Sequence, residues 1–142
     1  MKFGVRPGEQ DWTPGFIDPW RVVYQPDPSN LCGAACVATV LRTTLDEACK
    51  LIGKRGLTGA RDLRQALAKR GVTMGPRLSP KDNPDEALVL CRVHWPPVGI
   101  RRTHWVLMDR NGDIIDPSWG FNPPWKPGTR ITSVYVLTGV PE

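Results

Sequence analysis

The sequence predicts an α+β fold in which helices come first along the chain and antiparallel strands follow. Apolar residues recur at helical spacing between residues 31 and 71, whereas residues 86–138 hold runs that alternate as strands do. Asn111-Gly112 lies between two of these runs and is typical of a tight hairpin. Because helices and strands occupy separate parts of the chain, we expect the helices to pack against one side of an antiparallel sheet.

Length and composition indicate one globular domain over residues 1–142. The 142 residues are close to the commonest size of a single domain, and 40% hydrophobic with 23% charged residues is typical of a folded protein. No apolar run approaches the roughly 18 residues of a membrane span, and the first residues lack the apolar core of a signal peptide. We therefore expect no membrane partner, and action either in the cytoplasm or after export within a larger effector.

The charge pattern argues against nucleic-acid binding. The net charge is +5, but the 19 basic residues are scattered among the 14 acidic ones instead of forming a stripe with aromatic platforms. The four cysteines are expected to be free thiols, with no disulfide framework, no metal and no cofactor. A zinc site that includes Cys32, Cys36, His94 and His104 is a weak alternative, because the two cysteines are poorly spaced for zinc.

The first half of the chain predicts an arm and three helices. Residues 1–30, rich in proline and tryptophan, are expected to form an extended arm over the core. From Leu31 the run LCGAACVATVLR is small and apolar on every face, which predicts a buried central helix capped by Ser29 or Asn30.

Two shorter helices are predicted after the central one. LDEACKLIG has Thr44 and Glu47 at capping-box spacing and Gly53 as its end. ARDLRQALAKRG follows Thr58 and stops at Gly71. The strands are then predicted in the runs ALVLCRVH, THWVLMDR, DIID and TRITSVYVL.

Cys32 is the candidate nucleophile. It lies in the first turn of the predicted central helix, where unpaired N–H groups and the positive end of the helix dipole stabilise a thiolate. Gly33 follows, and its missing side chain would let a substrate backbone approach. A nucleophilic cysteine needs a base, and of the two histidines His104 begins a strong strand with Asp116 on the next strand of the hairpin.

The register of the hairpin decides whether His104 and Asp116 can meet. A two-residue turn at Asn111-Gly112 would put the two side chains on opposite faces of the sheet. A three-residue loop, Arg110-Asn111-Gly112, pairs Asp109 with Asp113 and puts His104 and Asp116 on one face as diagonal neighbours. We therefore predict the three-residue loop.

Several further residues are candidates for the site. The amide of Gln25, seven residues before Cys32, is a candidate donor to an oxyanion. Trp119 follows Asp116 closely and would cover the His–Asp pair, with plain packing as the alternative. Trp95 and Trp105 are candidates for the wall of the substrate cleft.

The runs QPDPSNLCGAACVATVL, GLTGARDLRQAL, THWVLMD and DPSWG resemble, in this order, the papain-like cysteine peptidases. The nearest group is the bacterial branch of double-glycine leader peptidases and their stand-alone relatives. The resemblance implies that Cys32 is the nucleophile, His104 the base and Asp116 the residue that orients it. It implies an oxyanion hole of Gln25 and the Cys32 backbone N–H. Gln25 lies one residue further from the cysteine than in the family, so a bulge at Pro26 or Pro28 is expected, with Asn30 as a substitute donor.

The sequence therefore predicts a cysteine peptidase with a papain-like α+β fold that acts on a peptide or protein substrate. An inhibitor or immunity protein is a candidate partner if the domain is a toxin or effector module; the oligomeric state is left open. One alternative is a glutamine deamidase or transglutaminase-type acyl transferase, which would use the same triad. The alternative from another class is a non-catalytic binding module on the same fold.

Overall fold

The computed structural model describes residues 21–26, 29–95 and 102–141, and within them helices precede an antiparallel sheet. The helices are α1 (Cys32–Leu41), α2 (Leu45–Ile52) and α3 (Ala60–Ala68). The strands are β1 (Thr73–Met74), β2 (Val89–Trp95), β3 (Arg102–Met108), β4 (Ile114–Asp116), β5 (Gly120–Phe121) and β6 (Arg130–Thr138). The sheet order is β1-β6-β2-β3-β4-β5 with every pair antiparallel, which confirms the predicted α+β class. Most of the predicted arm lies outside the described residues.

Helix α1 is buried along its whole length, as its small apolar sequence predicts. Its predicted cap is wrong: the capping residue is Leu31, with no side-chain hydrogen bond to the helix, and Ser29 Oγ instead accepts from the Leu31 N–H at 3.4 Å. Asn30 is exposed. The first turn of α1 therefore keeps its N–H groups free of a side-chain cap. No helix in the described ranges is long and apolar enough to span a membrane.

The two shorter helices show how local signals set their ends. Thr44 Oγ1 accepts from the Glu47 N–H at 3.1 Å, and Gly53 ends α2 with a φ of +90°, as predicted. Helix α3 is capped one residue later than predicted, at Gly59, whose N–H donates to the Asp62 carboxylate at 2.9 Å. This hydrogen bond, together with Lys54, lowers the pKa of Asp62.

The sheet separates two apolar clusters. The helices cover the inner face, where the buried strand side chains are those of Met74, Leu90, Trp105, Leu107, Ile115, Tyr135 and Leu137. The outer face carries a second cluster, formed by Val89, Cys91, Val93, Val106 and Val134. Alternation along the strands assigns each position to one face or the other.

The β3–β4 hairpin has the predicted three-residue loop. Leu107 lies opposite Ile115, and the Asp109 N–H donates to the Asp113 carbonyl at 2.9 Å. Gly112 has a φ of +84°, the left-handed conformation that a bulge of this kind requires. His104 and Asp116 consequently share the outer face, one on each strand.

Candidate active site

His104 and Asp116 form a buried hydrogen-bonded pair. The distance from His104 Nε2 to Asp116 Oδ1 is 2.7 Å, and the two residues are 2% and 1% exposed. Asp116 is the last residue of β4, and His104 lies near the start of β3. The contact follows from the hairpin register, since the two-residue turn would have separated the side chains.

Cys32 lies at the N-terminal end of α1 and contacts His104 of this pair. It is the first residue of the helix and 8% exposed, and its side chain is hydrogen-bonded to His104. The structure thus brings together the three residues that the sequence singled out for a triad.

The charges of His104 and Asp116 reinforce each other. Burial by itself lowers the pKa of His104, but the hydrogen bonds and charges of Asp116 and Cys32 outweigh it and raise the pKa to about 9. Burial acts to raise the pKa of Asp116, yet the hydrogen bonds of His104 and Ser118 hold it below its ordinary value. The site therefore favours an imidazolium ion beside an ionised carboxylate.

Asp116 receives further donors that sequence reasoning missed. Ser118 donates to Oδ1 through its N–H at 2.8 Å and through its hydroxyl at 2.6 Å. Trp125 Nε1 donates to the other oxygen, Oδ2, at 3.1 Å. Trp125 thus places an indole against the His–Asp pair. The contact of Trp119 with Asp116 is a backbone N–H to the Asp116 carbonyl at 3.0 Å, and covering of the pair by the Trp119 side chain stays a prediction.

Helix α1 contacts the edge of β3 at a position where the neighbouring segment of the chain has a proline, Pro117. The register makes the residue after β4, Pro117, the partner that would donate to the Trp105 carbonyl, but proline has no N–H. Cys36 Sγ donates to that carbonyl instead, at 3.5 Å. Burial and the nearby Cys32 raise the pKa of Cys36, so it remains a neutral thiol within the core.

Gln25 is held beside the site by its backbone. Its N–H donates to the Pro117 carbonyl at 2.9 Å, and the residue is 7% exposed. Its Nε2 donates to the carbonyl and the hydroxyl of Ser29, both at 3.3 Å, and its Oε1 is buried with no hydrogen-bond partner among the described residues. Of the two predicted amide donors, Gln25 is therefore the buried one.

Two of the residues predicted to line the substrate cleft, Gly33 and Trp105, are buried in the core. Gly33 is buried, and a Cβ at this position would overlap Thr58 Oγ1, so its missing side chain serves helix packing and not substrate approach. Trp105 is 3% exposed and belongs to the inner core, where its Nε1 donates to the Thr58 carbonyl at 3.1 Å. The side chain of Trp95 lies outside the described part of the chain.

The four cysteines are free and buried. In the ranges that the structure describes, no three His, Cys, Asp or Glu side chains are grouped as metal ligands. A scan against protein-family models finds no family that matches the sequence, and a search of the curated proteins finds no significant match.

Proposed function

We propose that this protein is a papain-like thiol hydrolase that cleaves peptide bonds through Cys32, His104 and Asp116. The observation that carries the proposal is His104 itself, which contacts the Cys32 thiol while its Nε2 holds Asp116 at 2.7 Å. A thiol, an imidazole and a carboxylate in this order form an activated nucleophile with an oriented base.

The reaction proceeds in two halves. Cys32 transfers its proton to His104, and the thiolate attacks the carbonyl carbon of the scissile bond. When the tetrahedral intermediate collapses, His104 gives the proton to the leaving amine, and a thioester remains on Cys32. A water molecule then attacks the thioester while His104 takes its proton, and the acid leaves as the Cys32 thiol is restored.

Three features of the chain support this chemistry. The raised pKa of His104, about 9, favours the imidazolium that accompanies a thiolate. The first turn of α1 has no side-chain cap, so the Cys32 N–H is available to a negatively charged oxygen. Gln25 is the second donor in this proposal, and its amide exchanges the two long bonds to Ser29 for the oxyanion.

Alkylation of Cys32 tests the proposal before a substrate is known. Rates of reaction with iodoacetamide, followed by intact mass between about pH 4 and pH 9, distinguish a paired thiolate from a free thiol of pKa about 8.5. We expect fast labelling well below that pKa, lost in His104→Ala. Labelling that follows an ordinary thiol titration, unchanged by His104→Ala, would refute the triad and favour a non-catalytic binding module.

Hydrolysis of peptides then tests the reaction itself. We expect Cys32→Ala to abolish cleavage, and Gln25→Ala to lower kcat by about 100- to 1,000-fold, the usual cost of one oxyanion donor. Asn30→Ala is the matched control, because this exposed amide should leave kcat unchanged.

A further inference from the structure

Arg92 lies on the inner face of the sheet beside the strand that carries His104. It is opposite Trp105 on β3 and opposite Ser133 on β6, so the three side chains form one row across the sheet. Its guanidinium carbon is 5.5 Å from the centre of the Trp105 ring, a cation–π contact with a buried indole.

The charge of Arg92 lacks a counter-ion among the described residues. Its Nε is buried and has no hydrogen-bond partner there, and no described carboxylate forms an ion pair with it. By contrast, Arg64 is also stacked on an aromatic ring but donates through Nε and Nη2 to the carbonyls of Met74 and Gly75, at 3.1 and 2.8 Å. A partly buried cation with an unsatisfied nitrogen is costly unless an anion completes it.

The position of Arg92 connects it to the nucleophile. Its neighbour Val93 lies opposite His104, so Arg92 is one position from the base along the sheet, with its side chain on the other face. On the inner face, Trp105 Nε1 donates to the Thr58 carbonyl at 3.1 Å, and the Thr58 hydroxyl packs on Gly33, the residue after Cys32.

We propose that Arg92 selects substrates that present a carboxylate close to the scissile bond. This inference rests on the proposed peptidase function. The planar guanidinium binds a carboxylate through two parallel N–H···O bonds, which would give its charge the counter-ion that the described residues do not supply. The net charge of +5 favours the approach of acidic peptides to the same site.

Cleavage of matched peptide libraries tests the selection. One library carries Glu and the other Gln at the varied position, with amidated C-termini so that only a side-chain carboxylate is offered; a third, with free C-termini and Gln, offers the terminal carboxylate alone. We expect the wild type to cleave either the Glu library or the library with free C-termini faster than the amidated Gln library. The expected difference is about 10- to 100-fold in kcat/KM, the value of a hydrogen-bonded charged pair. Arg92→Gln should remove this preference, and Arg92→Glu should reverse it toward Lys-containing peptides.

Arg64→Gln is the matched control, because that guanidinium is stacked on Tyr135 but already satisfied by carbonyls, so the preference should remain. Unchanged selectivity in Arg92→Gln would overturn the role of Arg92 and leave the proposed function intact. Binding of the same libraries to Cys32→Ala separates the two proposals. Carboxylate-selective binding that depends on Arg92 would support this inference even if cleavage failed, and unselective binding would refute it.

Discussion

Replacement of Trp125 by Phe should make the site more sensitive to acid. The change removes the indole N–H that donates to Asp116 Oδ2 at 3.1 Å but keeps an aromatic ring in the outer cluster, where Trp125 packs. Among the described residues no other donor reaches this oxygen, because Ser118 and His104 both bond to Oδ1.

The magnitude follows from the charge of the acceptor. A hydrogen bond to a charged group stabilises by about 1.5–3 kcal/mol, and one pKa unit corresponds to about 1.4 kcal/mol, so the pKa of Asp116 should rise by about 1–2 units. Asp116 has a lowered pKa in the folded protein, so its stabilisation is present above the ordinary carboxyl pKa and is lost as pH falls through the folded value. In Trp125→Phe that loss begins at a higher pH.

The assay is the pH profile of Cys32 alkylation by iodoacetamide, with urea unfolding over the same range. The acid limb of the alkylation profile should move to higher pH by the shift of the Asp116 pKa, and the unfolding free energy should fall earlier on acidification. Trp119→Phe is the matched control, since the contact of Trp119 with Asp116 is through its backbone. An acid limb that moves in Trp119→Phe but not in Trp125→Phe would refute the reasoning.

Three further predictions concern stability, measured by urea unfolding. The unfolding free energy should fall by on the order of 3 kcal/mol as pH rises from about 6.5 to about 9, because the raised pKa of His104 contributes stability that is fully present only below its unfolded value; His104→Ala should lack this dependence. Gly33→Ala should cost about 1–3 kcal/mol through overlap with Thr58 Oγ1, and adding Thr58→Ala should recover part of that cost. Gly112→Ala should cost about 1 kcal/mol through its φ of +84° alone, whereas Gly59→Ala, with equal space and a φ of −96°, should be near neutral.

The sequence predicted the parts of the site that depend on local signals. The helix start at Cys32 follows from a run of small apolar residues, and the His104–Asp116 contact follows from the turn chemistry of Gly112 and the two-residue period of strands. Both are short-range rules, which is why the positions of the three residues could be inferred.

The remaining contacts are made between distant parts of the chain, and no local pattern reveals them. Trp125 reaches Asp116 only because the chain turns back after β5. Gly33 is packed by Thr58, which lies in the segment before α3, far from Gly33 along the chain. The alternation along β3 does not show which face of the sheet the helices cover, so the burial of Trp105 could not be predicted from it. The cap of α3 at Gly59 could have been predicted from a local pattern, because Asp62 lies three residues after Gly59 and accepts its N–H.

The sheet edge at Pro117 makes the candidate site a junction between two apolar cores. Cys32 belongs to the inner core under the helices, whereas His104 and Asp116 lie on the face that carries the outer core. The distance from the Cys32 sulfur to the His104 ring is therefore set by the packing on both faces of the sheet, since β2, β3, β4 and β6 contribute side chains to each core. Loosening either core would therefore change the distance between Cys32 and His104, so the reactivity of Cys32 should depend on the packing of both faces of the sheet.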